Sequence, residues 1–96
     1  MERLFEWDSA KAAANFRKHG IHFEEAVLVF DDLLAVSEQD RVENGEARWK
    51  TSGMVGGGLL ILVAHTLRSD DSGTESIRII SARRVDKKER YRYEHG

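Results

Sequence analysis

One stretch of this chain dictates what the rest must do. Leu59-Leu60-Ile61-Leu62-Val63-Ala64 is the longest apolar run in the sequence, and it ends on His65. It is far short of the ~20 apolar residues that cross a bilayer, and too short for an ordinary helix. Apolar on both faces, it reads as a central strand with neighbours on each side and cover above and below. A 96-residue chain that must cover such a strand has material for one core, so a single domain over residues 1–96 is expected. The sequence has no cysteine, which removes disulfides, thiolate metal sites and thiol nucleophiles together. Leu4-Phe5-Glu6-Trp7-Asp8 carries charges where a signal peptide needs an apolar core, and a cytoplasmic location is expected.

The flanking segments supply the cover. Leu4 to Trp7 alternates as a short strand, and Asp8 is placed to cap a helix reaching Lys18, with Gly20 at its left-handed end. Phe23, Ala26, Val27 and Phe30 recur at helical spacing and predict a second helix. Leu34 to Ser37 reads as a short strand, then a polar loop from Glu38 to Glu46 with Asn44-Gly45 as its turn. Arg48 to Val55 is a strand, and Gly56-Gly57-Gly58 reverses the chain into the apolar run. After a loop from Ser69 to Gly73, strict alternation over Ser76 to Arg83 places Ile77, Ile79, Ser81 and Arg83 on one face and Arg78, Ile80 and Ala82 on the other. Asp86 and Glu89 form a capping box for a short final helix bearing Arg90, Tyr91 and Tyr93. The order β-α-α-β-β-β-β-α predicts an α+β domain: a mostly antiparallel sheet, two N-terminal helices packed on one face, a short C-terminal helix, and the other face partly open.

Charge is distributed unevenly. Residues 21–46 hold eight acids against Arg41 alone, whereas residues 78–96 hold seven Lys and Arg against three acids. A basic C-terminal quarter suits phosphate binding whatever the overall charge; its plainer meaning is a solvated face paired with the acidic segment. No G-x-S-x-G, H-E-x-x-H or P-loop pattern occurs, and His19 and His22 straddle the Gly20 break, so no metal or cofactor is expected. What remains is acid–base chemistry on a phosphodiester. RNA brings its own nucleophile, the 2′-hydroxyl, so an enzyme needs a proton-moving group such as His65 and cations such as arginine to hold the developing charge. The plainer readings are a core-edge histidine for His65 and a strand-end ion pair with Asp86 or Glu89 for Arg83 and Arg84.

These blocks also fit a known pattern. Phe5-Glu6-Trp7-Asp8, Lys18-His19-Gly20-Ile21, Phe23-Glu24-Glu25-Ala26, Val29-Phe30-Asp31-Asp32, Arg48-Trp49, His65-Thr66 with Arg68, and Ile77-Arg78-Ile79-Ile80-Ser81-Ala82-Arg83-Arg84 stand in that order along essentially the whole chain. The set resembles the BrnT family of type II toxin–antitoxin ribonuclease toxins, whose fold is similar to RelE. The resemblance implies a metal-independent endoribonuclease that blocks translation until a BrnA-like antitoxin with a ribbon-helix-helix domain masks it. It further implies a heterotetramer of two toxins and two antitoxins that reaches operator DNA only through the antitoxin. The family's active-site positions fall on His65 for acid–base work, on Arg68, Arg83 and Arg84 for phosphate and transition-state binding, and on Ser81 for orientation. Arg48, Lys50, Lys18 and Tyr93 follow as RNA-contact candidates. A non-catalytic RNA- or protein-binding module of the same fold is the alternative. His22, Leu33 and the loop from Ser69 to Glu75 depart from the family pattern, and the first predicts a weaker cap for the second helix.

Overall fold

The computed structural model describes residues 2–96. Its core element is a five-stranded sheet in the order β1 (Arg3–Glu6), β5 (Glu75–Arg84), β4 (Leu59–Ser69), β3 (Glu46–Val55), β2 (Val36–Glu43). The apolar run is central, as its two-sided hydrophobicity requires. Strand β1 is parallel to β5 and every other neighbouring pair is antiparallel, so the sheet is mixed.

Helix α1 (Ser9–His19) starts where Asp8 accepts from the Ala10 and Lys11 N–H groups at 2.8 and 3.2 Å. It stops at Gly20, whose φ of 71° is the left-handed region that glycine enters without a Cβ penalty. The predicted second helix is shorter than expected: α2 covers one turn, Phe23–Ala26, and the chain tightens into a 3₁₀ turn over Val27–Asp31. The tightening brings Val29 against β3, where its carbonyl oxygen and Cγ1 would lie 3.2 and 3.0 Å from a Cβ at Gly53. A Cβ there would force Val29 to give by a few tenths of an ångström, so glycine fits this close approach best. His22 gives α2 no side-chain cap, although the Glu25 carboxylate accepts from the His22 N–H at 3.3 Å. The ring of His22 stacks on Phe16 instead, centroids 4.0 Å apart.

Phe23, Ala26 and Val29 close over Ile61 and Val63 of β4, Ile79 and Ala82 of β5 and Val55 of β3 to form the core. Fully burying the Val, Ile and Phe side chains among them stabilises by about 1.5–3 kcal/mol each. The segment expected as a polar loop is a strand through Glu43: β2 and β3 form a hairpin about Asn44 and Gly45, both at positive φ. It escapes the alternation rule because an edge strand with little cover needs no apolar face.

In β5 strict alternation fails. Ala64 pairs with Ser81 but His65 pairs with Ile79, so Ile80 is an extra residue, a β-bulge. Beyond it the faces exchange: Ala82 joins Ile77 and Ile79 in the core, and Ser81 and Arg83 join Arg78 on the opposite face. That face is crossed by helix α3 (Lys87–His95), capped reciprocally by Asp86 and Glu89 as the sequence predicts.

Both ends of the inner sheet where an outer strand runs out are closed by a side chain. Strand β1 reaches only to Arg78, and past it Asn15 of α1 pairs with β5 as a strand would: its Oδ1 accepts from the Ala82 N–H and its Nδ2 donates to the Ala82 carbonyl, each at 3.0 Å. Strand β2 reaches only to Ser52, and past it Asp32 Oδ2 accepts from the Met54 N–H at 2.7 Å and from the Tyr93 hydroxyl at 2.6 Å.

Candidate nucleic-acid interface

Period-2 geometry turns the strand register into two chemical faces. On the face crossed by α3, β3 presents Arg48 and Lys50, β4 presents Arg68, and β5 presents Arg78 and Arg83, with Ser81 among them. Thr66 lies between Arg48 and Arg78 in the register and is buried. The cations are held by few carboxylates. Glu46 accepts from Arg68 Nε at 2.8 Å and reaches Arg78 at 3.9 Å, while Glu6 lies 3.5 Å from Arg78 and Asp40 3.8 Å from Lys50. Arg48 has no ion pair among the described residues, and its Nε is shut from solvent with no acceptor.

Arg83 is the most tightly held. Both of its terminal nitrogens donate to Glu89, at 2.8 and 2.9 Å, the planar fork geometry that suits a guanidinium to a carboxylate. The pair keeps the Arg83 guanidinium protonated even more firmly than usual and holds the Glu89 carboxyl below its ordinary range. Arg92 to Glu38 and Tyr93 to Asp32 complete the seat of α3. The helix buries no residue of its own, so polar contacts dominate its attachment. Tyr93 therefore anchors α3. The Met54 N–H, then the Tyr93 hydroxyl, lower the Asp32 carboxyl, and the same bond raises the Tyr93 phenol.

His65 lies on the other face, 3% exposed, with the sheet between it and the arginines. The expected constellation of His65 with Arg68, Ser81 and Arg83 does not assemble, because residue 65 is odd in a regular strand and the Ile80 bulge carries Ser81 and Arg83 to the even face. Its Nδ1 donates to the Thr66 carbonyl at 3.1 Å, which leaves Nε2 of the neutral ring to accept from the Thr51 hydroxyl at 2.7 Å. Thr51 in turn accepts from Ser37 at 2.8 Å. Burial pushes the imidazole pKa down, against a smaller upward pull from the Thr66 carbonyl. Phe30 closes one side edge-on, centroids 4.9 Å away. Arg84 stands apart too, exposed at the end of β5, with its carbonyl accepting from Arg83 at 3.1 Å.

Lys18 is on α1, beyond the open edge of β5. There a cleft of roughly 250 Å³ is lined by Lys11, Asn15, Lys18, His19, Ile80 and Ser81. Sequence reasoning missed Arg78 and Glu46 on the basic face, since strict alternation put Arg78 opposite Arg83, and no glycine marks the bulge that reunites them. Among the described residues no three His, Asp or Glu side chains converge as metal ligands. No described helix is long and apolar enough to cross a membrane.

A family model of the ribonuclease toxin BrnT of type II toxin–antitoxin systems matches residues 7–89. The chain belongs to the BrnT family. Among solved structures, the 1.1 Å crystal structure of the Brucella abortus ribonuclease toxin BrnT superposes with a TM-score of 0.61, covering 91% of this chain and 100% of that one at 24% identity. At that identity the likeness speaks for the α+β fold. No protein with a curated description matches the chain. Membership of the BrnT family makes the basic face a surface to be read against RNA.

Proposed function

We propose that this BrnT-family chain is a metal-independent endoribonuclease toxin of RelE-like fold, which binds RNA on the basic face, cleaves it and so halts translation. A BrnA-like antitoxin with a ribbon-helix-helix domain neutralises it in a complex of two toxins and two antitoxins, and the antitoxin alone contacts operator DNA. The reading puts this chemistry in the cytoplasm. It is supported above all by the register, which gathers Arg48, Lys50, Arg68, Arg78 and Arg83 from three strands on one face. Clustered arginines bind phosphate oxygens in pairs and carry most of the affinity for a nucleic-acid backbone. Arg48 is the most readily recruited, since among the described residues the other four cations are ion-paired and it is not. Ser81 orients the chain at the sheet edge and Arg84 extends the positive surface past it. His65, tied on both nitrogens within the other face, is assigned to the architecture of the domain.

One observation favours the rival reading of a non-catalytic binder: the strands place no imidazole on the basic face. Cleavage of a defined mRNA, free and on ribosomes, with EDTA present, decides between them. Wild type is expected to cleave, and Arg68→Ala/Arg78→Ala to lose affinity together with about 1.4 of the salt slope, 0.7 for each single-strand phosphate contact. Tight binding by the wild type without any cleavage establishes the binder.

A further inference from the structure

Four histidines are available to move a proton, and their surroundings separate them. His65 is buried with both nitrogens engaged, His22 is stacked on Phe16, and His95 lies against Tyr91 with centroids 4.0 Å apart. His19 alone has neither a hydrogen bond nor a stacked ring among the described residues, and it opens into the cleft between α1 and β5. The other charged groups lining that cleft are Lys11 and Lys18, neither of which is ion-paired among the described residues, and no carboxylate lines it. Lys11, Lys18 and His19 meet there because positions 11, 18 and 19 fall on one side of a helix.

Hydrogen bonds fix the two walls of this shallow cleft to one another. Asn15, between Lys11 and Lys18 on the same helix, donates and accepts at Ala82 and also donates to the Ile21 carbonyl at 3.1 Å, so α1 is fastened to the bare edge of β5. The bulge puts Ile80 into the lining, and Ser81, which by register belongs to the basic face, lines the cleft as well. Ser81 is thus where the two positive surfaces meet, at an edge that β1 leaves open.

We propose that this cleft seats the scissile phosphodiester of RNA, with Lys11 and Lys18 holding its oxygens and His19 acting as the proton acceptor; the assignment rests on the ribonuclease reading above. In the step it supports, the neutral His19 imidazole takes the 2′-hydroxyl proton as O2′ attacks phosphorus. The O2′–P bond forms, the P–O5′ bond breaks, and a lysine ammonium gives a proton to the departing 5′-oxygen. The products are a 2′,3′-cyclic phosphate and a 5′-hydroxyl, and exchange with solvent restores both side chains. The RNA backbone runs from Arg83 and Arg78 past Ser81 and over the edge of β5.

The test is cleavage by wild type, His19→Ala and Lys11→Ala/Lys18→Ala on the same mRNA, with affinity measured separately on a 2′-deoxy analogue that cannot be cleaved. His19→Ala is expected to cut about 100-fold or more slowly, the lower end for general acid–base catalysis, at nearly unchanged affinity, and to regain activity with free imidazole. The double lysine variant is expected to bind the analogue more weakly, with a salt slope reduced by about 1.4. A His19→Ala protein that cleaves at the wild-type rate, or that is inactive and not rescued by imidazole, overturns the assignment and leaves the ribonuclease reading standing. A wild type that cleaves nothing overturns both.

Discussion

Alternate residues of one sheet build two faces that treat polar groups in opposite ways. On the face beneath α1, α2 and the Val27–Asp31 turn, Ser37, Thr51, His65 and the Thr66 carbonyl satisfy one another in a closed chain around a neutral imidazole. On the other face five cations share a few carboxylates, and one buried guanidinium nitrogen has no acceptor. The difference teaches that residue type does not announce a role: a histidine with both nitrogens spent is held in place by its neighbours, and an arginine without an ion pair keeps its charge for a ligand. In β5 the two faces exchange at one position, Ile80.

Ala82→Arg should therefore give the largest effect. The bulge turns Ala82 into the core, where a guanidinium finds neither room nor a partner, a loss of more than about 4 kcal/mol that unfolds a small domain. Urea denaturation checks it, and a variant that unfolds at the wild-type midpoint would show that Ala82 faces outward and that the bulge does not set the faces. Asn15→Ala should come next. It leaves the Ala82 N–H and carbonyl without partners in a buried setting, at a cost of about 2–3 kcal/mol, measured as a lowered denaturation midpoint. If the midpoint holds, the open edge of β5 has no need of its plug.

The smallest effect is a change in pH dependence. Because the folded His65 pKa is depressed, the unfolded chain takes up a proton below about pH 6.5 that the folded one refuses. Stability from this group is complete above that pH and declines as pH falls below it. His65→Gln should flatten the decline in a series of melting curves from pH 7 to 5. An unchanged slope would mean that the imidazole titrates as freely folded as unfolded, and that the closed polar chain does not hold it neutral.

Much of this architecture is legible in the sequence for simple reasons. The central strand follows from hydrophobicity on both faces, α1 from its Asp8 cap and Gly20 stop, and the α3 cap from Asp86 and Glu89. What could not be read has a common origin in tertiary geometry. The β2 strand carries the polar sequence of an edge, and the Val27–Asp31 turn departs from the helix its spacing suggests to press Val29 onto Gly53. The bulge at Ile80 has no turn residue to betray it. The basic residues of the candidate site are visible as a charge excess, but their grouping depends on a register that one inserted residue resets. Asn15 offers no local signal of its place at the sheet edge, since Ala82 lies 67 positions away.

That separation has a consequence in time. Strand β1 finds its only strand partner in β5, and Asn15 reaches across to the same strand. During synthesis these two wait for residues 75–84, whereas β2, β3 and β4 pair with one another in the order in which they emerge. The seam that joins segments so far apart in sequence is also the wall of the proposed cleft, so the cleft is completed only when β1 and α1 close on β5.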